Sequence, residues 1–168
     1  MHDLARIAFE ETTEVDWGGT EPVLTACTGG AVLHLKLARA DKELTAKLRL
    51  PEMGLATESA MAIGPAEWLL FCDGDVGGWR SRIEGAPAGI AHALSDASDR
   101  LVRLRLARDP DILSGLTGLP ADAFDDGRCA RTRMGQTAVV VASFERDHLL
   151  IIDRAYERHF RLWWGRAL

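Results

Sequence analysis

Residues 128–153 read RCARTRMGQTAVVVASFERDHLLIID, and this stretch decides the fold class. It contains three strand-like runs, 128–134, 137–144 and 148–153, with short polar links between them. The middle run is rich in valine, which favours a buried β-strand. Because short links join neighbouring antiparallel strands, the stretch predicts a three-stranded meander.

The same alternation of apolar and polar side chains predicts strands further upstream. We interpret residues 31–37 and 44–50 as a β-hairpin with one solvated face, closed by Pro51, which cannot donate to the ladder. Residues 59–63 and 67–72 predict a second hairpin, because Gly64-Pro65-Ala66 between them supplies a turn.

Helices are predicted between these strands. In residues 76–83, Val76, Trp79 and Ile83 recur at helical spacing, with Asp73 or Asp75 as the cap and Gly85 at the end. After a strand at 102–106, Asp109 as N-cap and Pro110 at the first helical position predict a short helix, which Gly115 and Gly118 stop.

The chain closes on an amphipathic helix from about Ala155. Its apolar stripe consists of Tyr156, Phe160, Trp163, Trp164 and Ala167. Two readings stay open for this stripe: packing on the chain's own sheet, or insertion into a groove of a partner. Packing on the chain's own sheet is the favoured reading, and the two adjacent tryptophans are the only feature that supports the partner. Trp17, beside Gly18-Gly19, is a large aromatic residue that would be poorly placed on the surface of a lone monomer. The predicted interface candidates are Trp17, Tyr156, Phe160, Trp163 and Trp164.

The composition indicates an ordinary globular protein of 168 residues, with 47% hydrophobic and 27% charged side chains. We predict an acidic arm at 1–21 and one α+β unit at 22–168, or two intimate subdomains at 22–90 and 91–168. Residues 1–99 carry 8 basic and 16 acidic side chains, and residues 100–168 carry 12 and 9. The positive excess is too small to predict a nucleic-acid partner.

No apolar window is long enough to span a membrane, and the first residues lack the pattern of a secretory signal, so we expect a soluble, cytoplasmic protein with no membrane partner. The three cysteines, Cys27, Cys72 and Cys129, are an odd number without metal or disulfide spacing, and we interpret them as small hydrophobic residues.

No motif for catalysis or cofactor binding is present in the sequence. Neither a phosphate-binding loop nor a nucleophile elbow occurs, and the five histidines lack metal-ligand spacing. Paired aspartates lie beside turns and helix starts, where carboxylates cap backbone donors. We therefore predict no catalytic, cofactor-binding or metal-binding residue in this chain.

Three segments, in this order, resemble a known family: Ile63-Gly64-Pro65-Ala66-Glu67-Trp68-Leu69-Leu70, His92-Ala93-Leu94-Ser95-Asp96-Ala97-Ser98-Asp99-Arg100, and Phe124-Asp125-Asp126-Gly127-Arg128-Cys129-Ala130-Arg131-Thr132-Arg133-Met134-Gly135. Together with residues 154–164 they resemble the gamma subunit of heterotetrameric sarcosine oxidase, over roughly residues 60–168. That family is itself similar to the folate-binding aminomethyltransferase domain, the T-protein of glycine cleavage. The resemblance implies an α+β fold of antiparallel sheets with packed helices.

The resemblance also implies a function. The chain would be an accessory gamma subunit without its own active site, assembled with alpha, beta and delta subunits. The larger alpha and beta subunits would hold FAD, FMN, NAD and tetrahydrofolate. The complex would oxidatively demethylate an N-methyl amine and pass the one-carbon unit to tetrahydrofolate. The alternative is a freestanding folate-binding or aminomethyl-transfer protein whose second-half arginines pair with a glutamate tail. One departure is Arg108-Asp109-Pro110, which stands where the family usually has a glycine-containing turn.

Overall fold

A computed structural model describes residues 24–39, 42–57, 59–72, 76–85 and 91–167. These ranges contain nine β-strands, namely β1 (Leu24–Cys27), β2 (Ala31–Leu37), β3 (Ala60–Gly64), β4 (Glu67–Cys72), β5 (His92–Asp96), β6 (Leu101–Ala107), β7 (Cys129–Met134), β8 (Thr137–Ser143) and β9 (Asp147–Asp153). The described α-helices are α1 (Lys42–Leu48), α2 (Val76–Glu84), α3 (Pro110–Thr117) and α4 (Glu157–Ala167), and 3₁₀ turns lie at Ala121–Phe124 and Arg154–Tyr156.

The strands form two antiparallel sheets, which confirms the predicted α+β class. The large sheet has five strands in the order β1-β6-β9-β8-β7, and the small sheet has four in the order β3-β4-β2-β5. The predicted meander is confirmed as β7, β8 and β9. Its first turn consists of Gly135 and Gln136, which both have positive φ, as the two central residues of a tight hairpin require.

Successive side chains of a strand point to opposite faces of its sheet. In both sheets, each of the two faces carries apolar residues. Leu35 of the small sheet is buried against α1 and α2, whereas Val32 on the opposite face packs against the large sheet. In the large sheet, Ile151 faces the small sheet and Ile152 packs with the aromatic side chains of α4. The described part of the chain therefore has four layers: helices, small sheet, large sheet and helices.

The prediction of a second strand at 44–50 is wrong, because this segment forms helix α1. Leu44 and Leu48 are four residues apart, so the side chains that alternate as in a strand also share one face of a helix. Both are buried against the small sheet. Arg49 then has a φ of 54° directly after the helix. β2 pairs with β4 and β5 instead, which leaves it no free edge for a hairpin partner.

Two short strands are not predicted by the sequence patterns. β1 has only four residues, and four of the five side chains of β5 are exposed, so neither shows an apolar alternation. β1 pairs with β6, and β5 pairs with β2, so each sheet contains strands from both sides of residue 90. The division into subdomains stays a prediction, and the acidic arm at 1–21 lies outside the described residues.

The remaining predicted elements are confirmed. β3 and β4 form the hairpin around residues 64–66, and α2 occupies the segment predicted as helical. In α3, the carboxylate of Asp109 accepts a hydrogen bond from the Ile112 N–H at 3.0 Å, and Gly118 ends the helix in the left-handed conformation. The predicted stop at Gly115 is wrong, because Gly115 lies inside α3 and the helix continues to Thr117. The proposed caps of α2, Asp73 and Asp75, lie outside the described residues. None of the helices in the described ranges is long and apolar enough to cross a membrane.

Candidate functional site

A pocket lies between the two sheets, at the end where β2 finishes and β4 begins. Its volume is about 380 Å³, at the small end of the range of roughly 300–1,000 Å³ for small-molecule sites. Both sheets and the turns beside them line it with His34, Lys36, Ile63, Glu67, Leu69, Arg100, Leu101, Arg131, Ala138, Val139, Val140, Ile151, Ile152, Asp153 and Tyr156.

The small sheet contributes a hydrogen-bonded cluster of three ionisable side chains to this pocket. The strand period of two places His34 and Lys36 on the same face, and the register pairs Lys36 with Glu67. Glu67 Oε1 lies 2.7 Å from His34 Nε2 and 3.0 Å from Lys36 Nζ. The side chain of Lys36 is 59% exposed and that of Glu67 18%. The cluster therefore holds the lysine ammonium at the mouth of the pocket.

Glu67 is ionised in this cluster. Burial acts to raise the pKa of its carboxyl group, but the hydrogen bonds from Lys36 and His34 together outweigh burial and hold the pKa below its usual value. An ionised carboxylate only accepts hydrogen bonds, so Nε2 of His34 is the donor. Its own neighbours thus balance the negative charge of Glu67.

The opposite side of the pocket carries two arginines. Arg131 lies on β7, Arg100 directly precedes β6, and both side chains are exposed. Neither guanidinium forms an ion pair with another residue in the described ranges. Asp153, also on this side, accepts a hydrogen bond from the Ala155 N–H at 2.9 Å. Arg100 and Arg131 therefore bring positive charge that no described carboxylate pairs with.

Aliphatic side chains form the walls between these charged groups. Ile63 and Leu69 come from the small sheet, and Leu101, Val140 and Ile151 come from the large sheet. The same five side chains belong to the apolar cluster between the sheets. The pocket is therefore a continuation of this core that opens to solvent at one end.

The cysteines are not placed as nucleophiles. Burial raises the pKa of Cys27 to about 11 and that of Cys129 to about 12. Both groups are therefore thiols at neutral pH, whereas the reactive form is the thiolate. Cys72 is buried as well. Within the described ranges, no three His, Cys, Asp or Glu side chains are grouped so as to hold a metal ion.

A serine–histidine pair is present in the core, but its hydrogen-bond geometry suits a structural role and not a catalytic one. Ser143 Oγ lies 2.8 Å from His148 Nδ1, and His148 Nε2 accepts a hydrogen bond from the Asp109 N–H at 3.1 Å. Neutral His148 therefore carries its proton on Nδ1 and donates it to the serine, the reverse of a base that activates a nucleophile. Both side chains are fully buried. The pair joins the start of α3 to the large sheet.

The Asp96-x-Ser98 segment, one of those that carry the family resemblance, also has a structural role. Asp96 Oδ1 accepts hydrogen bonds from the Ser98 N–H at 2.9 Å and the Ser98 hydroxyl at 2.6 Å, and these bonds lower the pKa of Asp96. The Ser98 oxygen in turn accepts from the Val32 N–H at 3.0 Å. The segment thus closes the turn after β5 and attaches it to the start of β2.

The predicted interface residues occupy different environments. Phe160 and Trp164 are buried in the chain's own core, between α4 and the large sheet, which matches the first of the two readings for the stripe. Trp163 is partly buried beside Gly135. Tyr156 is 54% exposed and lies at the pocket. Trp17 lies outside the described residues. Contact of these residues with a partner stays a prediction.

Comparison with known proteins identifies a relationship of fold. No model of a protein family matches the sequence, and no curated protein matches it. The structure is similar to a chain of the heterotetrameric sarcosine oxidase from Corynebacterium sp. U-96, solved in complex with pyrrole 2-carboxylate. The TM-score is 0.68 at 18% sequence identity, and the match covers 89% of this chain and 85% of the other.

This chain has the fold of a sarcosine oxidase chain. The two chains are of similar extent, because the match leaves only a small part of either outside it. At this low identity the similarity concerns the fold, which hosts sites that differ from one protein to another. The resemblance drawn from the sequence is therefore confirmed at the level of the fold.

Proposed function

We propose that this chain is the accessory, gamma-type subunit of a heterotetrameric complex related to sarcosine oxidase. The observation that carries the proposal is the similarity of fold over 89% of this chain to a chain of such a heterotetramer. The order of the three family-like segments in the sequence supports the gamma assignment. Partner subunits of the alpha, beta and delta type would complete the assembly.

The complex would oxidatively demethylate an N-methyl amine and transfer the one-carbon unit to tetrahydrofolate. In this proposal FAD, FMN, NAD and tetrahydrofolate are bound by the partners, and this chain contributes structure. The buried thiols of Cys27 and Cys129 and the donor tautomer of His148 support a non-catalytic role, since each occupies a state unsuited to nucleophilic chemistry.

Reconstitution tests the proposal. The tagged chain is co-expressed with the flavin-dependent alpha and beta subunits and the delta subunit encoded in the same genome, and the purified material is assayed for oxygen consumption with sarcosine. We expect a stable complex that contains flavin and oxidises sarcosine, and no turnover by the isolated chain. Failure of the chain to join any such complex, or turnover of an amine by the chain alone, would contradict the proposal.

The alternative of a freestanding folate-binding or aminomethyl-transfer protein stays a prediction. Titration of the isolated chain with tetrahydrofolate tests it, because the alternative requires saturable binding without any partner subunit. The outcome is independent of the reconstitution, since a gamma-type subunit does not need to bind folate in order to assemble.

A further inference from the structure

We propose that the pocket between the sheets binds a small monocarboxylate with a flat apolar body. The inference does not depend on the subunit assignment. Sheets that pack face to face normally fill the space between them with interdigitating side chains. Here the apolar cluster stops short at one end and leaves a volume of about 380 Å³.

The charges around the pocket favour an anion with a single negative charge. The lining contains three cationic side chains, Lys36, Arg100 and Arg131, and two carboxylates, Glu67 and Asp153. Glu67 is already engaged by Lys36 and His34, and Asp153 caps the 3₁₀ turn after β9. The excess of one positive charge therefore resides with the arginines. A guanidinium binds a carboxylate through two parallel hydrogen bonds, which makes a carboxylate the best matched anion.

The shape of the pocket favours a flat and largely apolar ligand body. Its two long walls are the faces of two sheets, with Leu69 on one side and Val140 and Ile151 on the other. A slot between two aliphatic faces suits a ring or a planar chain, and burial of that body would exclude water from both walls.

The size of the pocket limits the part of a ligand that it can enclose. At about 30 Å³ for each water-sized unit, the pocket holds roughly a dozen non-hydrogen atoms. An aryl monocarboxylate fits this volume, whereas a complete folate molecule exceeds it more than twofold. The ligand class is therefore a small aromatic or unsaturated acid.

Fluorine NMR with the full chain tests the inference, using 4-fluorobenzoate as the probe and 4-fluorobenzamide as its uncharged isostere. We expect saturable binding of the acid in the millimolar range or tighter, and at least about tenfold weaker binding of the amide, since one charge-assisted contact accounts for a tenfold change. Tetrahydrofolate at the same concentration should leave the bound fraction of the probe unchanged.

Matched variants locate the site. Arg131→Gln should weaken binding of 4-fluorobenzoate at least about tenfold. Arg133→Gln is the control, because Arg133 is exposed on the same strand but does not line the pocket. Nitrogen-15 NMR spectra of the unmodified chain provide a second measurement that needs no variant. In these spectra the probe should shift the amide signals of Leu69, Val140 and Ile151.

Four results would overturn the inference. The first is the absence of saturable binding of 4-fluorobenzoate, and the second is equal affinity for the acid and the amide. The third is binding of 4-fluorobenzoate that Arg131→Gln leaves intact, and the fourth is binding that shifts amide signals outside the pocket. None of these results bears on assembly with partner subunits, so the inference and the proposed function fail separately.

Discussion

At the scale of single residues, the clearest constraint is the contact between Gly135 and Trp163. Gly135 has a φ of 53°, and a β-carbon at this position would lie 2.2 Å from Cδ2 of Trp163. The Gly135 carbonyl oxygen also lies 2.9 Å from His159 Nε2. The tight turn of the meander is thus held against α4, and only glycine fits between them.

We expect Gly135→Ala to lower the free energy of unfolding by roughly 3 kcal/mol, because alanine adds both an unfavourable backbone conformation and an overpacked contact. The matched control is Gly115→Ala in α3, where a β-carbon would meet no atom within 4 Å. Alanine should stabilise that exposed helical site by about 0.5–1 kcal/mol. Urea unfolding of both variants measures the difference, and equal losses in the two would contradict the account.

His148 predicts how stability depends on pH. Burial, with a further contribution from the charge of Arg108, lowers the pKa of His148 from 6.5 to about 4. Below pH 6.5 the unfolded chain binds a proton that the folded chain excludes, so this contribution is present above pH 6.5 and is lost as the pH falls to about 4. The loss should reach about 3 kcal/mol at pH 4.

Urea unfolding at several pH values between 7 and 4 measures this loss. His148→Gln removes the titrating group, so its stability should fall less steeply across that interval, even though the variant is less stable at pH 7. A variant whose stability falls as steeply as that of the unmodified chain would show that other groups cause the acid sensitivity.

At the scale of secondary-structure elements, helix α3 depends on its cap. The carboxylate of Asp109 accepts from the Ile112 N–H, and Asp109→Ala should therefore destabilise the protein by about 1 kcal/mol. Asp111 is the control, because it is exposed in the same first turn and makes no capping bond in the described structure. Asp111→Ala should change the urea midpoint by clearly less. Equal shifts for the two variants would assign the effect to charge near the helix start and not to the cap.

Some elements have an apolar stripe on one face or a turn or cap residue at their ends, and these could be predicted from the sequence. Elements without such a signal could not. The meander, the hairpin around Gly64-Pro65-Ala66 and α3 each carry a turn or cap residue that fixes their limits. Helix α1 has apolar side chains at positions that suit both periods, and only the pairing of β2 with β4 and β5 excludes the strand. β5 has a mostly exposed surface and therefore no pattern that a sequence could reveal.

The pocket could not be predicted, because its residues are distant in sequence. Lys36 and Glu67 meet through the β2–β4 register, and Arg100 and Arg131 reach the same mouth only when the two sheets stack. Of the residues that line the pocket, only Tyr156 is among the candidate site residues predicted from the sequence, and it is predicted as an interface residue and not as part of a pocket. The available signal was the pair of polar residues, His34 and Lys36, between the three leucines of β2.

At the scale of the whole molecule, Tyr156 is the predicted interface residue that the described structure leaves most exposed, at 54%. Large aromatic side chains dominate the energetics of protein interfaces, so Tyr156→Ser should weaken association with partner subunits by about tenfold or more. Met53→Ser is the control, because Met53 is 64% exposed and is not a predicted interface residue. The affinity of each variant for the reconstituted partner subunits measures this effect. An unchanged affinity for Tyr156→Ser would show that Tyr156 is not part of the interface.

We propose that this chain works as a structural subunit of a flavin-dependent amine-oxidising complex. The most direct measurement is purification of the tagged chain at its natural level from its own cells, followed by size-exclusion chromatography with light scattering and mass spectrometry of the peak. We expect a heterotetramer that contains flavin and consumes oxygen with sarcosine. Recovery of the chain only as a free monomer, without flavin and without any such partner, would contradict it.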